Sequence, residues 1–121
     1  MHEVTSHAVG ILNEKLSIIA TGGKGPGGAY LEYDIILPPE CEGVLGPHLT
    51  FQNGDPNVKV NGITGECLIA IAIDRLAGFQ TGPFQCRENA IAITHLETAL
   101  LWIQKRQRER AVRGVEGKQE R

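Results

Sequence analysis

Arg106 and Arg110 stand four residues apart, a spacing that sets two forked guanidinium groups on one face of a helix, where together they can grip a phosphate or pyrophosphate. Upstream, Phe79 and Phe84 flank a glycine-containing turn and Asn89 follows a few residues later. An aromatic ring can stack on a purine and an asparagine amide can pair with adenine through two hydrogen bonds, so this segment has the components for reading a base. The same residues fit blander roles. Phe79 can plug the turn, Asn89 can be a polar helix residue and the arginines can be a solvated face. Base-reading and phosphate-reading groups in one short chain are what make an anionic, base-containing ligand worth considering.

The charge distribution points the same way. The 121 residues carry 12 Lys+Arg against 14 Asp+Glu, yet residues 104–121 hold seven cations and three anions, while residues 1–103 hold five cations and 11 anions. A basic end on an acidic body favours an anionic partner. Long nucleic acid is a poor one, because Glu109, Glu116 and Glu120 sit among the basic residues and no RNA-binding or helix-turn-helix signature appears.

Catalytic and metal-binding patterns fail their own tests. "TGGKGPGG" lacks the Ser or Thr and the following helix that a phosphate-binding P-loop needs, and reads better as a hairpin loop. His2, His7, His48 and His95 are too scattered to suggest a ligand set, and no serine or cysteine sits beside an evident base. The expectation is a non-enzymatic protein with no cofactor and no metal. Cys41, Cys67 and Cys86 are odd in number and widely spaced, against a disulfide framework, with Cys67 and Cys86 expected to pack as small apolar side chains.

These groups need a scaffold. "KLSIIAT" and "AYLEYDIIL" read as strands around the glycine-rich loop, followed by a Pro/Gly-punctuated loop, a strand at "HLTFQ", a turn at "NGDPN" and a further strand and turn at "VKVNG". At Thr64 the period changes to helical, with Thr64 as N-cap and Gly78 as the stop. A second helix runs from about Phe84 toward Arg113, near 40 Å at the helical rise, so that its arginine-rich half overhangs its shorter partner. The predicted fold is α+β: a small N-terminal antiparallel β-sheet, then a C-terminal helical hairpin with one long helix. Residues 1–62 form the β-rich part, 63–113 the hairpin and 114–121 a basic tail.

A chain of this size buries about two thirds of its unfolded surface, and aromatic residues are only 5% of it, so self-association is expected to complete the core. No apolar run reaches the roughly 18 residues that span a bilayer, and the N-terminus lacks a signal-peptide pattern, so the expectation is a protein that stays in the cytoplasm.

The segments "GPFQCRENAIAITHLETALLW" and "RxRxRAxRGVxG" resemble the helical hairpin shared by the Thoeris anti-defence protein 1 family and the anti-CBASS protein 2 family of phages. The β-rich first half is similar in character to the Thoeris family. The resemblance implies a sponge that binds a bacterial immune second messenger, a cyclic ADP-ribose isomer or related cyclic nucleotide, without cleaving it, in the cytoplasm of the infected host. It implies that Phe79 stacks on the adenine, that Asn89 contacts base or ribose, and that Arg106 and Arg110, with Arg113 as a lesser addition, hold the pyrophosphate. It also implies a homo-oligomer, dimer or hexamer, and a second site for cyclic oligonucleotides in some relatives. A small structural oligomer and a nucleic-acid-binding phage protein are the alternative readings.

Overall fold

The computed structural model describes residues 2–41 and 45–112. It divides into two compact units, Met1–Ile63 and Thr64–Arg121. The first holds strands β1 (His2–Val4), β2 (Ser17–Lys24), β3 (Tyr30–Ile36) and β4 (His48–Thr50), with a short helix α1 (Ile11–Lys15) between the first two strands. The second holds helices α2 (Gly65–Gln80) and α3 (Arg87–Val112). The architecture is α+β, with an N-terminal sheet and C-terminal helices.

The sheet is an antiparallel meander in the order β1-β2-β3-β4. Cross-strand partners point to the same side, so the register separates two faces. Val4, Ile18 and Ile35 form one apolar row, and Ala20, Tyr33 and Leu49 form the next on that face. The opposite face carries Glu3, Ile19, Asp34 and His48, flanked by Thr21, Glu32 and Thr50. Among the described residues only Ala20 is buried, at 0% exposure. Leu45, Ile11 and Val58 are more than four-fifths exposed, at 94%, 82% and 84%.

Beyond β4 the chain forms a loop closed by a parallel bridge between Phe51 and Ile63. Gln52 N–H donates to the Ile63 carbonyl at 2.9 Å. "VKVNG", read from sequence as a strand, is not one. Side-chain amides satisfy the backbone of this loop in place of a ladder: Asn61 Oδ1 accepts from Asn53 N–H (2.8 Å), Asn61 Nδ2 donates to the Asn53 carbonyl (2.7 Å), and Gln52 Oε1 accepts from Asn61 N–H (2.8 Å). Gly62 is required here, since a Cβ would lie 2.3 Å from the Phe51 carbonyl carbon.

α2 starts where the period change predicts. Thr64 is its N-cap, accepting from Cys67 N–H at 3.2 Å. Gly78 does not stop the helix, which continues to Gln80 because Thr81 closes it, donating from its own N–H to Gly78 and Phe79 carbonyls and from Oγ1 to Gly78 at 2.8 Å. The 16 residues of α2 rise about 24 Å and the 26 of α3 about 39 Å, so α3 outreaches its partner by about 15 Å. Half-buried positions on α3 recur at Asn89, Ala92, Ile93, Leu96, Leu100 and Ile103, a stripe at spacings of three and four, and α2 answers with Leu68, Ile69, Ala72, Ile73 and Leu76. The hairpin leaves Ile71, Leu101 and Trp102 exposed at 59%, 61% and 66%. Cys67 and Cys86 are exposed rather than packed, and Cys41 is half-buried. None of the described helices is long and apolar enough to cross a membrane.

Candidate functional site

The turn end of the hairpin is built around Phe79, on the last turn of α2. Helical geometry places Arg75 one turn earlier on the same side, and its Cζ sits 5.2 Å from the Phe79 ring centroid. Phe84 meets Phe79 edge to face, with centroids 6.5 Å apart and ring planes at 88°. Phe79 stays 36% exposed and Phe84 73%, so the pair caps the turn at the surface rather than filling its interior.

The connection between the helices is tied by one side chain. Gln80 Nε2 donates to the Cys86 carbonyl at 2.9 Å, and Gln80 Oε1 accepts from Cys86 N–H at 3.0 Å. This pair of bonds sets the start of α3 against the end of α2. Asn89 lies on the third residue of α3, half-buried on the stripe that faces α2.

Arg106 and Arg110 occupy the other end of α3. Arg106 is exposed and Arg110 half-buried. Lys105 engages the Glu109 carboxylate at i,i+4, on an exposed part of the helix. Arg113 lies outside the described residues. α3 is continuous from Arg87 to Val112, so the 17 residues from Asn89 to Arg106 correspond to about 25 Å. One chain therefore holds its candidate residues as two separate groups: Phe79 and Asn89 at the turn end, Arg106 and Arg110 at the far end.

A groove of about 640 Å³ on the hairpin is lined by apolar side chains of both helices, among them Ala70, Ile73, Leu100 and Leu101. Asp74 and Glu97 also line it, and their carboxylates disfavour an anionic ligand.

Three features escaped the sequence reading. Arg75 was signalled only by its i,i+4 relation to Phe79. On the sheet, His48 bridges two carboxylates of β3, with Nδ1 2.5 Å from Asp34 Oδ1 and Nε2 3.3 Å from Glu32 Oε1. The hydrogen bond to Asp34 is the chief cause that raises the His48 pKa above its ordinary value, with Glu32 adding to it. These partners are 14 and 16 residues away in sequence and meet only through strand register. At the N-terminus of α2, the Thr64 hydroxyl donates to Cys67 Sγ at 3.3 Å and holds the thiol below its usual range.

Comparison with known proteins bears on the hairpin most directly. Over 61 residues, which is 50% of this chain and 43% of the relative, the sequence is 57% identical to Thoeris anti-defense 1 of Bacillus phage SBSphiJ7. The chain thus covers less than half of that protein's length. The Acb2/Tad1 hairpin domain matches residues 46–108, a stretch that begins before β4, takes in the amide-braced loop, the whole of α2 and the turn, and includes Phe79, Asn89 and Arg106 while stopping short of Arg110. With more than half of the sequence inside that match, the chain belongs to the Acb2/Tad1 hairpin-domain family.

Proposed function

We propose that this protein is a phage anti-defence sponge that binds and sequesters a cyclic ADP-ribose-type immune messenger without cleaving it, acting in the cytoplasm of the infected host. The observation that carries the reading is the family match across residues 46–108, which takes in an exposed aromatic ring at Phe79, an amide at Asn89 and a guanidinium at Arg106. In this reading Phe79 stacks on the base, Asn89 contacts base or ribose, and Arg106 and Arg110, joined by Arg113, hold the pyrophosphate. Sequestration needs tight binding and no general acid or base, so catalytic chemistry has no part in it; related cyclic oligonucleotides are further candidate ligands.

A single pocket built from these residues requires two chains. A small cyclic nucleotide does not span about 25 Å, so the turn end of one chain must meet the arginine end of another, with the long helices antiparallel about a two-fold axis. The exposed Leu101 and Trp102 supply apolar surface for such an assembly, as dimer or hexamer.

The test is direct. The pure protein is mixed with a cyclic ADP-ribose isomer made by a Toll/interleukin-receptor-domain enzyme, freed of unbound ligand and heat-denatured. Recovery of the unmodified isomer from the supernatant supports the sponge. An empty supernatant refutes it, and a hydrolysed product identifies an enzyme instead.

A further inference from the structure

The Phe79 ring has a partner that none of the roles above employs. Arg75 lies one helical turn before it on α2, with Cζ 5.2 Å from the ring centroid, while Phe84 closes in perpendicular to the ring at 6.5 Å. None of the ion pairs among the described residues involves Arg75. Its charge is therefore directed at an aromatic ring on the hairpin surface rather than at a carboxylate.

That placement has a consequence for any ligand that stacks on Phe79. A phenyl ring on an exposed helical turn samples several rotamers, and a base that settles on it must bear the loss of that freedom. A guanidinium held over the ring, with a second ring set edge to face, restricts it before the ligand arrives. We propose that Arg75 is a positioning residue of the nucleotide site, holding the Phe79 ring in the orientation on which the base stacks. This inference rests on the ligand-binding reading above and adds a residue to it.

The experiment compares the wild type with Arg75→Ala, Arg75→Lys, Phe79→Leu and the double variant Arg75→Ala/Phe79→Leu. Affinity for a cyclic ADP-ribose isomer is measured by calorimetry, and the Phe79 ring signals of the ligand-free protein by aromatic NMR. Arg75 is exposed on a helix and alanine is a good helix former, so circular dichroism is expected to show the hairpin intact. Removing an exposed cation–π contact predicts a loss of about two- to fivefold in affinity. The loss disappears in the Phe79→Leu background, lysine restores part of it, and the Phe79 ring signals of Arg75→Ala move toward averaged values.

An equal loss in the Phe79→Leu background overturns the proposal, because Arg75 would then touch the ligand itself. Tighter binding by Arg75→Ala overturns it too, since the guanidinium would be competing with the base for the ring. Unchanged affinity in Arg75→Ala, with a wild type that binds, removes Arg75 alone. A wild type that binds no isomer removes the function reading and this inference with it.

Discussion

Mixing two crippled variants should rebuild binding sites. Asn89 and Arg106 are 17 residues apart on the unbroken helix α3, about 25 Å, so a shared pocket takes one residue from each of two chains. Loss of Arg106 from a desolvated pyrophosphate site costs about 2 to 5 kcal/mol, which is at least tenfold in affinity. Loss of the Asn89 amide costs about 1 to 3 kcal/mol if it pairs with a base. In a homodimer of either variant both pockets are damaged. In a mixed dimer one pocket carries both substitutions and the other carries neither. Random association of equal amounts makes about half of the dimers mixed, so roughly a quarter of the wild-type number of tight sites returns. Titration calorimetry reads this as a stoichiometry, after co-refolding of Asn89→Ala with Arg106→Ala and confirmation of mixed dimers by native mass spectrometry. Because Asn89 is half-buried, thermal melts of Asn89→Ala serve as the control for hairpin integrity. Mixed dimers that form and yet bind no ligand tightly would refute the two-chain pocket, and the account of the arginine-rich overhang with it.

Further expectations follow from the local geometry. The hydrogen bond to Asp34, with Glu32 adding to it, favours the protonated form of His48, so its folded-state pKa lies above the ordinary 6.5; its contribution to stability is fully present below that value and fades as pH rises through the folded-state pKa. An NMR titration should place its midpoint above 6.5, and Asp34→Asn should bring it down; an unmoved midpoint would dismiss the bridge. Thr64→Ala removes the N-cap of α2 and should cost about 1 kcal/mol in denaturant unfolding, with Thr64→Ser restoring most of it. Cys67, its thiol favoured toward the anion by Thr64 and exposed, should alkylate faster than half-buried Cys41 at neutral pH, and Thr64→Val should slow it.

The parts of the fold legible from sequence were those with a strong period or a strong punctuation mark. The helical spacing after Thr64, the cap itself and the body of the long second helix are visible, although that helix begins at Arg87 rather than near Phe84, where Gln80 bonds the Cys86 backbone and ends the turn. So are β3 and most of β2, although β2 runs on through Gly22 and Gly23 to Lys24, residues that read as part of the glycine-rich loop. The three residues of β1 and the five of α1 are too short to show a period, and their pairing partners are far along the chain. Gly78 misled because a glycine stop signal cannot reveal that Thr81 closes the helix later, with both its amide and its hydroxyl. "VKVNG" misled because alternation says nothing about side-chain amides taking over the backbone bonds. For the candidate site, residue types and the 17-residue separation were readable, whereas the cation–π contact of Arg75 with Phe79 and the His48 bridge depend on rotamers and strand register that no linear spacing displays.

The braced loop after β4 sets a chemical clock. Its two asparagines that meet across the loop, Asn53 through its backbone and Asn61 through its side chain, are each followed by glycine, the arrangement in which the next backbone nitrogen most readily attacks the side-chain amide and releases ammonia. At Asn61 neither residue can be exchanged freely: Gly62 is imposed by the Phe51 backbone 2.3 Å from where a Cβ would stand, and the Asn61 amide carries two of the loop's bonds. Conversion to aspartate would replace the Nδ2 donor with an oxygen facing the Asn53 carbonyl, turning a brace into a repulsion. While the loop is braced, those two bonds restrict the rotation of the amide that the attack requires. Intact protein should therefore gain deamidated mass at Asn61 more slowly than unfolded chain does, and each molecule that has converted should lose the Asn61 Nδ2 brace permanently, so that the working lifetime of the protein is bounded by a covalent change as well as by unfolding.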